Sequence, residues 1–384
     1  MDLYSVKNKK FNFEVLISTN NHKSIVHKKC VLVCPSKVWG GIEKNVLLRA
    51  KELRRRGYEV YVILLNGQFE EKFKNDPEIK VINISSRGGD LNIFVLLNYV
   101  KIFREIKPYT VFAALKKDWF LVSLAARLAK VPKTILYLGI LREIKDNLKY
   151  KFIFKNLKNK VLVNSNSLKN HLLKNTNLFN DSNVVCVYNG FSVPGESDYK
   201  IDFKSKLNLK KDTVILGCAG RFSYIKGFDY LPQILSYLPE NYHVIHIGKG
   251  ELEKEIKTLI MESDYRDRIH FLGFFEDVKL FFNSIDIFLL PSRSEGMANV
   301  LNEAMSFGKP VVSTKVPGSE ELLNNGEYGI LTEIGDAKAM AEGIIAISDQ
   351  TVVFEPNKLK ARIEENFSIE KMIDNTEHLF FELN

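Results

Sequence analysis

The sequence predicts an α/β protein of two doubly wound, parallel-sheet domains facing a central cleft. Three observations carry that expectation. Apolar, β-branched runs alternate with amphipathic helical runs along most of the chain, the rhythm of a parallel sheet with helices on both faces. The rhythm breaks once, over residues 192–212, and then restarts. Finally, 384 residues exceed what a single ordinary core serves.

Taken in order, the first unit is the strand CVLVCP from Cys30, followed by a loop with Gly40 and Gly41 and a helix from about Glu43 to Arg56. Gly57 ends that helix, and the strand YEVYVILL follows. Then come VINIS, a helix over Ile93–Glu105, TVFAAL, a helix over Trp119–Ala129, TILYLG, VLVNS with another helix, and VVCVYNG, which closes the first half near Gly190. The break at 192–212 is polar, holds Pro194 and Gly195 and carries a charge run, as an interdomain linker does. The second half reads TVILGCAG, FDYLPQILSYL, YHVIHIG, a helix near 251–263, IHFLG and IDIFLLP. The expected division is 29–196 for the first domain, 197–365 for the second and 366–384 for a last helix. Residues 1–28 fit no unit. Ligands of such sheets lie beyond the carboxyl ends of the strands, so loops there are where function is sought.

Composition removes several classes. No apolar run reaches the length needed to cross a bilayer, and the polar start, MDLYSVKNKKFNF, lacks the apolar stretch of an export signal. A cytoplasmic protein is expected. The four cysteines, at 30, 34, 186 and 218, form no CxxC pair and read as small core residues. There is no metal-ligand cluster and no Asp-x-Asp triplet, so no metal is expected. The net charge of +9 is compatible with nucleic acid, anionic lipid or phosphorylated small molecules. No nucleic-acid-binding signature accompanies it, so nucleic acid is not an expected partner.

Four strand-end loops remain. AGRFSYIKGFD, from Ala219, leaves a strand with Arg221 and is expected to enter a helix with Lys226 and Gly227. Two cations beside a helix N-terminus would make an anion site; on a plain surface loop they would only project into solvent. In HIGKGELEKEI, Gly248 and Gly250 lack the third glycine of a dinucleotide fingerprint, Glu253 standing in its place, and a tight turn is the expected meaning. KVWGGIEKN opens a helix through Gly40 and Gly41, where backbone could approach a ligand or merely turn.

The fourth loop lies in PSRSEGMANVLNEAMSFGKPVV, residues 291–312. Glu295 sits on the loop, and Glu303 sits on a helix, expected over Ala298–Phe307, that is otherwise apolar. A carboxylate there needs a partner or a ligand hydroxyl. Two acceptors flanking a helix N-terminus match a ligand with hydroxyls at both ends and phosphate between them, the layout of a nucleotide sugar.

The run from Thr213 to about Ile347 resembles the C-terminal domain of the retaining glycosyltransferases of family 4, which have the GT-B fold of two Rossmann-like domains. The residues that carry this are AGRFSYIKGFDYL, HIGKGE, IHFLGFFEDV and DIFLLPSRSEGMANVLNEAMSFGKPVVSTKVPGSEELL, where Glu295 and Glu303 match the family's E-x7-E motif. WGGIEKNVLLRAKELRRRGYEV, VLVNSNSLKNHL and FSIEKMIDNTEHLF resemble its glycine loop, a strand end of the first domain and its last helix, which packs back on that domain. The resemblance covers about residues 29–382.

It implies a nucleotide-sugar-dependent hexosyltransferase, with the sugar passing to a hydroxyl of a glycan or lipid-linked acceptor in cell-surface polysaccharide or lipopolysaccharide assembly. Arg221, Lys226 and Glu295 would be the catalytic contacts. Arg221 and Lys226 would hold the diphosphate with backbone N–H groups of Gly296, Met297, Ala298 and Asn299. Glu295 would bind the donor sugar and Glu303 the ribose, while Gly40 and Gly41 would let the first domain close on the diphosphate. The implied cofactor list is empty: the nucleotide sugar is a co-substrate, and retention by attack on the leaving group's own face needs no protein nucleophile. An epimerase or hydrolase of the same fold would use the cleft without an acceptor. A non-catalytic nucleotide-sugar-binding partner would have lost the key residues, and this chain keeps them.

The chain departs from the pattern at one point. Many members carry a histidine after the strand corresponding to TILYLG; here Leu138, Gly139 and Ile140 stand there, and none of the seven histidines does. Arg142 is the candidate substitute. Separately, KYKFIFKNLKNK, Lys149–Lys160, holds five lysines and no acid, with Tyr150, Ile153, Phe154 and Leu157 at helical spacing. It reads as a helix laid on the sheet with its lysines outward. Such a basic face could also meet an anionic membrane surface, placing the protein peripherally on the inner face of the cell membrane.

Overall fold

The computed structural model describes residues 28–85, 92–195, 200–275 and 277–381. Residues 1–27, and the expected domain boundary at 196/197, lie outside the described residues. The first sheet has seven parallel strands in the order β3-β2-β1-β4-β5-β6-β7. They are β1 (Lys29–Val33), β2 (Glu59–Leu65), β3 (Lys80–Ile84), β4 (Thr110–Ala113), β5 (Lys133–Leu138), β6 (Lys160–Val163) and β7 (Val184–Cys186). The second has six, in the order β10-β9-β8-β11-β12-β13: β8 (Val214–Ala219), β9 (Tyr242–Ile247), β10 (Ile269–Gly273), β11 (Ile287–Leu290), β12 (Val311–Thr314) and β13 (Ile330–Thr332). Every pairing is parallel.

The runs that gave strands are apolar because both faces of each sheet are covered by helices. All four residues of β4 and of β11 are buried. Each sheet therefore supports two cores, one per face. Three of the four cysteines, Cys30, Cys34 and Cys218, are buried among them, and none of the four is in a disulfide. Burial pushes the Cys186 thiol up to about 12, so it stays protonated and unreactive at neutral pH.

The last helix, Ile369–Phe381, returns to the first sheet. Met372, Ile373, Leu379, Phe380 and Phe381 join the core of β1, β2 and the helix Gly41–Arg55. Phe381 stacks on Tyr58 at 4.0 Å, and Arg56 binds Glu370, Asp374 and Glu377. The chain thus passes between the halves twice, side by side: Phe191 N–H donates to Phe367 O at 2.8 Å, and Ile369 N–H to Phe191 O at 3.3 Å.

Three expectations need correction. The linker reading of 192–212 is too broad, because Ile201, Phe203, Leu207 and Leu209 pack into a core of the second sheet. The stretch Lys149–Lys160 is not one helix. A short helix, Leu148–Lys151, runs into a π-helical turn, Phe152–Asn156, and Lys160 opens β6. Ile153 and Phe154 do face the core, but the lysines are not one outward face: Lys149 lies over the Phe120 and Tyr150 rings and Lys151 sits 3.5 Å from Asp146. Lastly, Lys226 does not enter an α-helix. It ends a 3-10 turn, Tyr224–Lys226, closed by Gly227 in the left-handed region (φ 67°), and the α-helix begins only at Leu231. A side chain on Gly227 would put its Cβ 2.0 Å from Pro291 O, so the loop is pressed against the end of β11, and a second 3-10 turn, Phe228–Tyr230, stands between it and the α-helix.

Candidate functional site

The loops after β8 and β11 meet at an ion pair. Lys226 Nζ donates to Glu295 Oε1 at 2.6 Å, and Ser292 Oγ donates to the same oxygen at 2.7 Å. The two side chains are only 17% and 10% exposed. Lys226 lies along the loop that follows β8, its Cε 3.5 Å from where a Cβ on Gly220 would be. Arg221, one residue on, is exposed and only 3.6 Å from Glu251, itself exposed, a pairing worth little in water.

Past Glu295 the chain offers a set of unused donors. The helix Asn299–Ser306 begins after Ala298 with no side-chain cap. Among the described residues nothing accepts a hydrogen bond from the backbone N–H groups of Gly296, Met297, Ala298 or Val300, although Met297 and Ala298 are buried. Buried N–H groups are nearly always paired, and four without acceptors at a helix N-terminus form a concavity for an anion. The Asn299 N–H is excluded from the set, because it bonds Met297 O at 3.0 Å.

Glu303, one turn further on, is half-buried. Burial raises its pKa, and the charges of Lys44 and Lys226 pull it the other way. Among the described residues no group donates to its carboxylate. The acceptor that the sequence places on an apolar helix therefore has no hydrogen-bond partner among the described residues.

The first half closes over this corner. A Cβ on Gly41 would lie 3.5 Å from Asn299 Nδ2, and one on Gly296 would lie 2.9 Å from Gly139 O and 3.2 Å from Ile140 Cα. Glu43 holds the glycine loop by accepting from Gly40 N–H at 2.9 Å. Asn189 Nδ2 donates to Asn299 Oδ1 at 2.9 Å, and Asn164 Nδ2 to Gly139 O at 3.1 Å. These asparagines, at the ends of the strand runs VLVNS and VVCVYNG, escaped the sequence reading; a polar residue closing an apolar strand was the available signal. Beneath them Arg49 is buried over the Tyr137 ring at 5.8 Å, with no acceptor for Nε or Nη2 among the described residues. Arg142 is exposed, and its charge bears on Lys116, whose pKa is lowered first by burial and then by Arg142.

The Gly-x-Gly after β9 is a packing device. A Cβ on Gly248 would meet Gly220 O at 2.0 Å, and one on Gly250 would meet Phe222 N and O at 2.4 Å. Both glycines let this turn lie directly on the loop that carries Arg221.

Comparison with known proteins matches residues 200–367 to the family described as glycosyl transferases group 1 and residues 42–167 to that described as glycosyl transferase 4-like. The chain belongs to the group 1 glycosyltransferases. Its fold is GT-B. A glycosyltransferase from Rickettsia africae superimposes with a TM-score of 0.79 at 21% identity, covering 92% of this chain and 98% of that one. Anabaena Alr3699/HepE, solved in complex with UDP-glucose, gives 0.76 at 23% identity over 92% and 99%. In sequence, this glycosyltransferase is 25% identical to the capsular polysaccharide biosynthesis glycosyltransferase CapM of Staphylococcus aureus, over 85% of the chain and 91% of that relative. It is 33% identical to an uncharacterized glycosyltransferase of Haemophilus influenzae, over 44% of the chain and half of that relative's length. No described helix of this family member is long and apolar enough to cross a membrane.

Proposed function

We propose that this protein transfers a hexose-type sugar from a nucleotide-diphosphate sugar to a hydroxyl of a glycan or lipid-linked acceptor, with retention of configuration. The observation that carries this is the set of N–H groups of Gly296, Met297, Ala298 and Val300, which have no acceptor among the described residues, next to the Lys226–Glu295 pair. The donor's diphosphate would take those N–H groups and Lys226, with Arg221 reaching in from its exposed position. Glu295 would accept from the donor sugar's hydroxyls. Glu303, which has no hydrogen-bond donor among the described residues, would accept from the ribose.

In the reaction the bond between the sugar's anomeric carbon and the diphosphate oxygen breaks. The acceptor oxygen bonds that carbon from the same face, and its proton passes to the departing diphosphate. The negative charge that grows on the diphosphate is what Lys226, Arg221 and the helix N-terminus are placed to stabilise. We propose that these groups serve without a metal ion.

Membership of the same family as proteins named for capsular polysaccharide and lipopolysaccharide core biosynthesis supports a place in cell-surface glycan assembly. A Campylobacter jejuni relative, 26% identical over 82% of this chain, is named for a diphospho-undecaprenol acceptor, which supports a lipid-linked acceptor. Leu148, 86% exposed, stands beside the exposed Phe152 and Lys155, an apolar and basic edge of the kind that meets anionic lipid. Co-sedimentation with anionic but not neutral vesicles is the expected result; equal binding to both would remove this part.

The test of the reaction is release of nucleoside diphosphate from UDP-, GDP- and ADP-sugars, in EDTA, with and without a cell lipid extract. Release from one donor, accelerated by the extract and lost in Glu295→Ala and Lys226→Ala, is expected. A folded protein silent toward every donor with extract present would leave only a binding role.

A further inference from the structure

Arg293 lies on the loop after β11, two residues before Glu295, and the function above assigns it nothing. Its side chain is 14% exposed, and it makes several directed contacts. Nη1 and Nη2 donate to Asp229 Oδ1 and Oδ2 at 2.8 and 2.5 Å. Nη1 also donates to Tyr224 O at 2.7 Å, and the backbone N–H of Arg293 donates to Ile225 O at 2.7 Å. The guanidinium plane lies between two aromatic rings, 4.2 Å from the centroids of both Tyr224 and Tyr230.

The position of these partners is informative. Tyr224 and Ile225 immediately precede Lys226, and Asp229 and Tyr230 follow it. Arg293 therefore grips the loop on both sides of Lys226 while belonging to the strand end that carries Glu295. Around Lys226 the loop carries the turns Lys226 N–H to Ser223 O and Gly227 N–H to Tyr224 O, at 3.0 and 3.3 Å, and Tyr230 N–H to Gly227 O at 3.0 Å. Phe222 and Phe228 anchor its two ends in the core, whereas Tyr224 and Ile225, next to Lys226, are exposed, so burial does not fix that part of the segment. A bidentate arginine–carboxylate fork is directional in a way a lysine contact is not, and stacking between two rings fixes the plane of the fork.

We infer that Arg293 is a positioning residue for the donor site: it holds Lys226 and Glu295 in register across the two loops so that the Lys226 ammonium meets the diphosphate. This rests on the donor-site reading above. Arg293 touches no reacting atom; its effect passes through Lys226.

The test is a double-mutant cycle between Arg293→Lys and Lys226→Ala. UDP, GDP and ADP are titrated in parallel by calorimetry, and kcat and KM are measured on the donor that releases its nucleotide. Arg293→Lys keeps the charge and loses the fork. It is expected to weaken binding of the preferred diphosphate and lower kcat, each about tenfold, and to have almost no further effect once Lys226 is alanine. Asp229→Asn, which leaves Arg293 and both rings in place, should reproduce the loss in milder form and serves if the arginine variant folds poorly. A purely structural role predicts a lower melting temperature with unchanged affinity and kcat per folded molecule, or losses that add fully to those of Lys226→Ala. Either outcome overturns the inference and leaves the donor-site reading standing. If wild type binds none of the three diphosphates, the donor-site reading falls and this inference falls with it.

Discussion

The backbone of Gly296 rests on the backbone of Gly139: a Cβ added to Gly296 would lie 2.9 Å from the Gly139 carbonyl oxygen. One residue belongs to the strand end of the first half and the other to the donor-side loop of the second. The contact falls where family members often carry a histidine side chain, and here bare backbone meets bare backbone.

Gly296→Ala therefore tests how close the halves must come. Neither neighbour is a flexible side-chain end, so one half has to move. We expect kcat/KM to fall on the order of a hundredfold, as small misplacements of reacting groups do, with little change in melting temperature. Steady-state kinetics on the purified variant decides it; wild-type turnover would mean that the halves work further apart than they lie here.

Glu303 gives a prediction about the sugar of the nucleotide. If its unpartnered carboxylate accepts from ribose hydroxyls, Glu303→Ala should weaken nucleoside diphosphate binding by about 1.5–3 kcal/mol, the worth of hydrogen bonds to a charged group. The same substitution should leave binding of the 2′,3′-dideoxy nucleotide unchanged. Equal losses for both ligands in titration would show that Glu303 acts elsewhere.

Glu321 also ties the halves together. Its carboxylate accepts from Asn166 N–H at 2.8 Å and Ser167 N–H at 2.9 Å, at the start of the helix Asn166–Asn175, and from the Tyr188 hydroxyl. A carboxylate at a helix N-terminus is favourable on charge alone. Glu321→Ala uncaps both N–H groups and should cost about 1–3 kcal/mol in denaturant unfolding. An unchanged midpoint and slope would mean that the pair of crossing segments alone holds the halves.

Histidines set an acid limit on stability. Burial lowers the pKa of His246 to about 3 and of His243 to about 4, and it also lowers that of His270. All three are neutral in the fold at neutral pH, whereas the unfolded chain takes up protons below about 6.5. Stability is then fully present above that pH and falls as pH drops from about 6.5 toward 4. His246 is boxed in by Phe222, Phe228 and Phe271, so His246→Leu should narrow the melting-temperature drop between pH 7.5 and 5. An identical drop in wild type and variant would contradict this.

Much of the fold was legible because parallel sheets advertise themselves: strands such as IDIFLLP and TVILGCAG are apolar on both faces, and helices of ordinary length separate them. Glu303 was legible for the complementary reason, a charge where the pattern demands none. The unread part is tertiary. Nothing local in FSYIKGFD shows that Gly227 must press on Pro291 and end the turn, so the segment looked like the start of a helix. Asp229 and Arg293 stand 64 residues apart, and each alone is an ordinary loop charge. Lys149–Lys160 misled because composition counts lysines and does not see that one lies over aromatic rings, one beside an aspartate and one on a strand.

The most direct test of the donor site compares phosphates. UDP, GDP, ADP and the matching monophosphates would be titrated, in EDTA, into wild type and Lys226→Ala. We expect one diphosphate to bind wild type at least about tenfold more tightly than its monophosphate, and Lys226→Ala to erase most of that difference. Equal affinity for mono- and diphosphate, or a difference that survives loss of Lys226, would contradict the assignment of this corner to the donor's diphosphate.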